Sequence, residues 1–461
     1  MQQPKPKVSA EDPTCMPQLR EYLDADRGRP PEFFYEESTE DLGNATIPVE
    51  RYLSQEWHNR EVDKLWLKTW QMACRENDIP KVGDQLAFDV VGQSVVLVRS
   101  AEDTISAFHN TCRHRGNRLV DGVTSAQSIQ CSMHSWTWNL DGTVKRIPCR
   151  WDFPTVRDDK AALVPVRVER WNGIVFINFD ANAASLSEFL TPQLRRQWER
   201  WPHGRFWKSG HVAKVVPCNW KAAIEAFLES YHVFKVHPQI TPHTGDCNSK
   251  YDFYGPHGRM VVPIGVASPH MGGLEDQAVV EAMMGDLFSN FFGADAHKQE
   301  MPKVGPGESA RSVLSDYLRG MHKARGLDLS SVSDSEILDG IEYFIYPNLI
   351  MWAGYSLPLY YRVRPNGQDP NSCIWELMVV VDVPAGAPLL RDAAMRMTPT
   401  DEPWAAAPEL GGIGALVDQD MVNLAKIQRG MQSQACRELI FSNYQERNLR
   451  NFQRHVERQV S

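Results

Sequence analysis

Cys112-Arg113-His114-Arg115-Gly116 and Cys131-Ser132-Met133-His134, with sixteen residues between His114 and Cys131, put one cysteine and one histidine on each of two short segments. Four soft and borderline ligands in two matched pairs predict a metal site. Structural zinc accepts two sulfurs and two nitrogens, but its common spacings set two cysteines on one loop and two histidines on another. Here each segment gives one of each. Gly116 allows close backbone approach to a sulfur, and Trp136, Trp138 and the loop at Pro148 are placed to shield the site from water.

The surrounding chain has 461 residues, 42% hydrophobic and 23% charged. That length exceeds one hydrophobic core and predicts two domains. A net charge of −9 argues against nucleic acid or an anionic membrane as the main partner. No run of about 18 apolar residues and no apolar leader follows Met1, so a cytoplasmic protein without a membrane span is expected. Nine cysteines, an odd number without regular spacing, read as reduced thiols plus a few metal ligands.

Around the Cys-His segments the pattern is all β. Leu86–Val91, Ser94–Val98 and Thr104–Phe108 predict a small antiparallel sheet with a turn at Gly92-Gln93. Asp141-Gly142 and Asn172-Gly173 are hairpin signals, carrying the β region to about Phe179. Upstream, Val62, Leu65, Trp66 and Trp70 predict an amphipathic lead-in helix. Residues 1–45, rich in proline and charge, predict an extended arm. Ser185-Leu186-Ser187-Glu188 has the form of a capping box, and a second domain is expected from about residue 181. Its β-rich runs at Tyr343–Trp352, Leu359–Arg364 and Cys373–Val383 do not alternate regularly with helices, which predicts an α+β fold. Residues 266–335, with a stripe of Val280, Met284, Leu287 and Phe291, read as an insertion.

A second constellation lies in that domain. Asn219 through His232 is helical in composition with Asn219 as its cap. His232 and His237 are five apart, which splays them by about 140° on an ideal helix. Both reach one metal only if the helix ends between them, and Pro238 disfavours helical geometry at His237. Two histidines and one distant carboxylate make the facial triad of non-haem Fe(II) oxygenases.

The first constellation resembles the Rieske motif, C-x-H followed by C-x-x-H, in which the cysteines hold one iron of a [2Fe–2S] cluster and the histidines the other. The run Glu225-Ala226-Phe227-Leu228-Glu229-Ser230-Tyr231-His232, with His237, resembles the catalytic helix of Rieske non-haem iron aromatic ring-hydroxylating oxygenase α subunits, roughly E-N-F-x-[D/E]-x-Y-H-x4-H, with Ala226 in place of Asn. The resemblance covers about residues 45–440. It implies an arm (1–45), a Rieske [2Fe–2S] all-β domain with its helical lead-in (46–180), and a helix-grip, START-like α+β catalytic domain (181–461). It makes Cys112, His114, Cys131 and His134 the cluster ligands. His232, His237 and Asp420, which stands eight before Gln428, become the ligands of a mononuclear Fe(II), with Asp418 as the alternative carboxylate. Glu229 becomes the bridge between a cluster histidine of one subunit and an iron histidine of the next, with His134 and His232 as its expected neighbours. Aspartate is commoner than Glu229 at that position. Tyr and Gly are commoner than Met133 and Ser135, a departure that bears on hydrogen bonding to a cysteine sulfur.

What the resemblance implies is a terminal oxygenase, an O₂-incorporating oxidoreductase fed with NAD(P)H-derived electrons by a separate reductase or ferredoxin. It would hydroxylate, cis-dihydroxylate or demethylate an organic, aromatic substrate, as a homotrimer or a multiple of it, with or without a β subunit. Relatives with Glu at the bridging position include amine oxygenases, so an alkyl-ammonium substrate is the alternative. A non-catalytic, zinc-stabilised or electron-transfer protein is the rival from another class. Phe227, Met283, Met284, Phe288, Phe291 and Phe292 read as an apolar pocket wall. Arg113, Arg115, Arg118, Lys145, Arg146 and Arg150 read either as a docking patch for an acidic donor or as solvated surface.

Overall fold

The computed structural model describes residues 19–201, 206–285, 301–357, 359–383, 386–388 and 390–461. Asp84–Val90, Gln93–Ala101 and Thr104–His109 form an antiparallel meander, with Val123–Ser125 beside its first strand. Its first turn is Val91-Gly92, one residue before the predicted Gly92-Gln93, because Val90 pairs with Gln93. Both turn residues have positive φ, 45° and 76°, as the twist of a two-residue hairpin requires. A β-branched valine there carries no turn signal in the sequence. Asn172-Gly173 joins Trp171 to Ile174 with φ of 52° and 77°, as expected. The expected lead-in helix divides: Ser54 caps Gln55–Glu61, the helical turn Val62–Trp66 follows, and the chain then enters the strand Gln71–Arg75. That strand pairs with Ile174–Asn178 and closes the β region on itself.

The larger sheet is antiparallel in the order Lys250–Tyr254, His257–Val262, Gly340–Ile345, Leu349–Ala353, Leu359–Asn366, Asp369–Asp382, Phe206–Val216, with Arg396–Met397 added parallel at the edge. Both its faces are covered, which is why its strands read as nearly continuous apolar runs. Ile341, Tyr343, Ile345, Tyr360 and Met378 face a core shared with Trp198 and Trp201. Phe344, Tyr361 and Trp375 face the opposite core, where the helices Trp220–Glu225 and Ile413–Met431 pack through Ile224, Val417 and Leu424.

The arm departs from its expectation. Leu19–Ala25 is a helix, not extended chain, because Leu19 and Leu23, four apart, are both buried against the core containing Phe34 and Trp201. Residues 1–18 lie outside the described residues. The helices Asp276–Met283, Ala310–Ala324 and Asp334–Leu338 of the insertion share a separate core; Leu287 and Phe291 lie outside the described residues. Among the described residues no helix is long and apolar enough to cross a membrane.

Candidate functional site

The two Cys-His segments fold as matched loops. Cys112 N donates to Asn117 O (2.7 Å) and Gly116 N to Cys112 O (3.0 Å); Cys131 N donates to Trp136 O (2.9 Å) and Ser135 N to Cys131 O (3.0 Å). The fifth residue of each loop has positive φ, 76° at Gly116 and 59° at Ser135. Backbone geometry therefore favours glycine where Ser135 stands. The loops turn the N–H groups of His114 and Arg115 toward the Cys112 sulfur and those of Met133 and His134 toward the Cys131 sulfur. Asn117 Nδ2 adds a side-chain donor to Cys131 Sγ at 3.6 Å.

The two histidine rings lie 4.8 Å apart, and His114 stacks on Trp136 at 5.1 Å. Desolvation, His134 and Arg115 hold His114 below the usual histidine value, and its buried Nδ1 has no hydrogen-bond partner. Two thiols supplied with amide donors beside an imidazole with an uncommitted nitrogen fit a Rieske cluster. Trp138, anchored through Nε1 to Ala161 O (2.8 Å), lies underneath. His134 and Met133 are exposed at the tip. Of the basic cluster, Arg118 pairs with Asp89 and Asp121, and Arg150 with Asp158. Arg115, Lys145 and Arg146 stay exposed around the loops.

The predicted helix over 219–232 stops early. Asn219 Oδ1 caps it by accepting from Lys221 N (2.9 Å), but α-helical structure covers only Trp220–Glu225. Beyond it, Ser230 N donates to the Tyr251 hydroxyl (3.1 Å) and His232 N to Glu229 Oε2 (2.9 Å), so side chains take the donors a helix would have used. A short helix, Val233–Val236, then runs from His232 to His237, where φ is −122° and ψ 59°. The chain thus breaks on both sides of the histidine pair.

These breaks bring the three predicted ligands together. Nε2 of His237 and of His232 lie 3.0 and 3.7 Å from Asp420 Oδ1, and one ligand atom from each residue falls within 4.8 Å of the others. Each far nitrogen is held: His232 Nδ1 donates to Glu229 Oε1 (2.8 Å) and His237 Nδ1 to Gln419 Oε1 (2.7 Å). That keeps a proton on each Nδ1 and aims both Nε2 atoms, the ones a metal would take on losing any proton there, at one point. Gln419 Oε1 also accepts from Gln239 Nε2 (2.9 Å). Burial opposes a charge on His232, but Glu229 and Asp420 more than offset it and raise its pKa to about 9. Two imidazoles, one carboxylate and hydrogen-bonded far nitrogens fit non-haem iron. Asp418 points elsewhere, accepting from Trp404 N (2.8 Å) and Ala405 N (3.0 Å). Eight residues after Asp420, Gln428 Oε1 accepts from Asn219 N (2.8 Å), tying the late helix to the cap of the earlier one.

Asp420, His232 and His237 line one wall of a cavity of about 170 Å³ whose other walls include Phe227, Met283, Trp352 and Tyr361. Met284 lies instead in the core of the insertion, and Phe288, Phe291 and Phe292 lie outside the described residues. Two polar atoms on the cavity wall, Glu342 Oε2 and His243 Nε2, are buried with no hydrogen-bond partner. Burial, with Glu229 nearby, pushes the Glu342 carboxyl well above the carboxylate range, and burial lowers His243 to about 4. Sequence reasoning missed Asn117, Gln419, His243 and Glu342. The one available signal was a lone carboxylate in the apolar run Gly340–Ile345.

The model for the Rieske [2Fe-2S] domain matches residues 69–157, and that for the ring hydroxylating alpha subunit (catalytic domain) matches residues 193–461. The carnitine monooxygenase oxygenase subunit of Escherichia coli (strain K12) is 31% identical over 228 residues, 49% of this chain and 60% of that one. The biphenyl dioxygenase subunit alpha of Metapseudomonas furukawaii is 31% identical over 194 residues, 39% of this chain and 42% of that one. The chain thus spans about 60% or less of the length of these relatives. The fold is that of a quaternary ammonium Rieske monooxygenase solved with L-carnitine (TM-score 0.64, 16% identity, 91% of this chain and 97% of that one). It is shared with naphthalene 1,2-dioxygenase solved with indole (TM-score 0.64, 18% identity, 91% and 93%).

Proposed function

This chain belongs to the ring-hydroxylating α-subunit family, and from that premise we propose that it is the terminal component of an oxygenase, hydroxylating, cis-dihydroxylating or demethylating an organic substrate with O₂ and NAD(P)H-derived electrons. The observation that carries the reading is the convergence of His232 Nε2, His237 Nε2 and Asp420 Oδ1 on the wall of a largely apolar cavity. In this reading Cys112, His114, Cys131 and His134 hold a [2Fe–2S] cluster within residues 46–180, and the triad holds iron within 181–461. When bound, the cluster supplies electrons one at a time and the iron supplies O₂ activation.

The protein's own groups do the rest. Glu229 and Gln419 keep the histidine protons on Nδ1, and Phe227, Trp352 and Tyr361 exclude water from the cavity. His134 is exposed at its loop tip, and Glu229, which accepts from His232 Nδ1, is read as the carboxylate that would link it to His134 of a neighbouring subunit in a homotrimer or a multiple of it. Arg115, Lys145 and Arg146 suit an acidic ferredoxin or reductase.

A second reading of the substrate rests on Glu342. A buried carboxyl without a donor, among Trp352, Tyr361 and Phe227, is the recognition chemistry of an alkyl-ammonium group. Among the described residues lining the cavity there is no Lys or Arg, so the fit is to an apolar amine without a carboxylate. The experiment is substrate-dependent O₂ uptake by anaerobically purified protein with a reductase and NADH, over neutral aromatics, trimethylammonium compounds and their tert-butyl isosteres. Product formation with a His232→Ala variant inactive but retaining the cluster's EPR signal is the expected result. Uptake with no substrate class would return the electron-transfer reading.

A further inference from the structure

Outside the triad, Asp246, Cys247 and His270 each place one ligand atom within 4.8 Å of the others. They come from two turns, Asp246–Asn248 and Pro269–Met271. Cys247 Sγ lies 3.1 Å from His270 Nε2. The Asp246 side chain is fully buried; Oδ1 accepts from Cys247 N (2.8 Å), while Oδ2 is buried with no hydrogen-bond partner. The Ser268 hydroxyl, which accepts from His270 N at 3.3 Å and also hydrogen-bonds the Asp246 carboxyl group, orients the second turn beside it. A thiol–imidazole hydrogen bond alone accounts for the sulfur and the nitrogen but leaves that carboxylate oxygen unexplained.

We propose that Asp246, Cys247 and His270 form a second metal site, distinct from the iron triad, that takes a borderline-soft divalent cation, with zinc the best fit. A thiolate sulfur disfavours magnesium and calcium, which take oxygen ligands. One sulfur, one nitrogen and one oxygen suit tetrahedral zinc with the fourth position left to water. Cys247 is half-buried and His270 exposed, giving the ion a way in. The site's position gives it a purpose. The His270 ring packs 4.3 Å from Phe234, between the two iron histidines in sequence, and Ser230 Oγ donates to Asp246 O (2.9 Å). A cation there fastens the loop bearing His232 and His237 to the turns that face it.

The test uses the holoprotein with its cluster quantified by EPR and its mononuclear site filled with iron, equilibrated with zinc and then dialysed. About one zinc per chain is expected, with a single sulfur neighbour at about 2.3 Å by zinc-edge X-ray absorption. Cys247→Ser and, as a variant at an exposed position that does not burden folding, His270→Ala should each retain at least tenfold less zinc at unchanged cluster and iron content. Failure of the parent to retain zinc, equal retention by both variants, or a two-sulfur shell from zinc in the cluster loops would each overturn the proposal.

Discussion

His237 Nδ1 lies 2.7 Å from Gln419 Oε1, so the proton that sets which nitrogen faces Asp420 is held by a neutral amide from the late helix. Replacing Gln419 by Leu removes that hold, and iron affinity should fall about 10–100-fold. Glutamate at the same position should restore it. Iron content after dialysis against a graded chelator measures both, with the cluster's EPR signal as an internal standard.

Asp418 and Asp420 separate two roles two residues apart. Asp420→Asn should lose the mononuclear iron while leaving the melting temperature of the cluster-loaded protein nearly unchanged. Asp418→Ala should do the reverse, keeping the iron but costing about 0.5–2 kcal/mol, because its carboxylate holds the first N–H groups of the turn Trp404–Ala406. Iron retained in Asp420→Asn would transfer the ligand role elsewhere.

Asn117 is expected to tune the cluster. A donor on a cysteine sulfur stabilises the extra electron of the reduced state, so Asn117→Ala should lower the reduction potential. A hydrogen bond worth about 0.5–1.5 kcal/mol corresponds to roughly 20–60 mV for one electron. A spectroscopic redox titration reads the shift, and an unchanged or raised potential would remove Asn117 from the account.

Glu225 should make stability depend on pH. It is buried against Tyr52 (2.8 Å) and Gln453 (2.5 Å), and burial raises its pKa from 4.5 to about 7. The folded protein then keeps a proton that the unfolded chain releases, so stability should fall as pH rises from about 4.5 to 7. The slope should sum to at most about 3 kcal/mol. Glu225→Gln should flatten that part of the profile in denaturant titrations taken at several pH values.

Glu342→Gln separates the two substrate readings. For an ammonium substrate, whose charge would draw the proton off the buried Glu342, KM should rise at least tenfold, which corresponds to losing about 1.4 kcal/mol or more of that charge pairing, with little change for neutral aromatics. Equal effects on both classes would leave Glu342 a purely structural acid.

The candidate ligands were legible in the sequence because a metal demands particular donor atoms, and those must recur at short, recognisable spacings. Cys112, His114, Cys131, His134, His232 and His237 all stand in such runs. Asn117, Gln419 and Glu342 do not, since an amide or a carboxyl becomes a support or a recognition group only through what the folded chain brings opposite it. Helix ends failed for a related reason. Composition continues helical through His232, but the α-helix ends at Glu225 and, farther on, Tyr251 and Glu229 capture the Ser230 and His232 N–H donors that would have continued it, a competition invisible to periodicity. Leu19–Ala25 was hidden by its proline-rich surroundings, and its ordering depends on a core formed some 180 residues later around Trp198 and Trp201.

Asp420 and Gln428 share one unbroken helix, about 12 Å apart along its axis. One faces His232 and His237 and the other clasps Asn219 N. This turns the segment between them into a ruler with no tolerance for changes of length. A single inserted or deleted residue swings one end by about 100° relative to the other, so either the carboxylate or the clasp is lost. Point substitutions on the outer face of this stretch, as at Val422 and Lys426, should drift freely, while insertions and deletions should be purged.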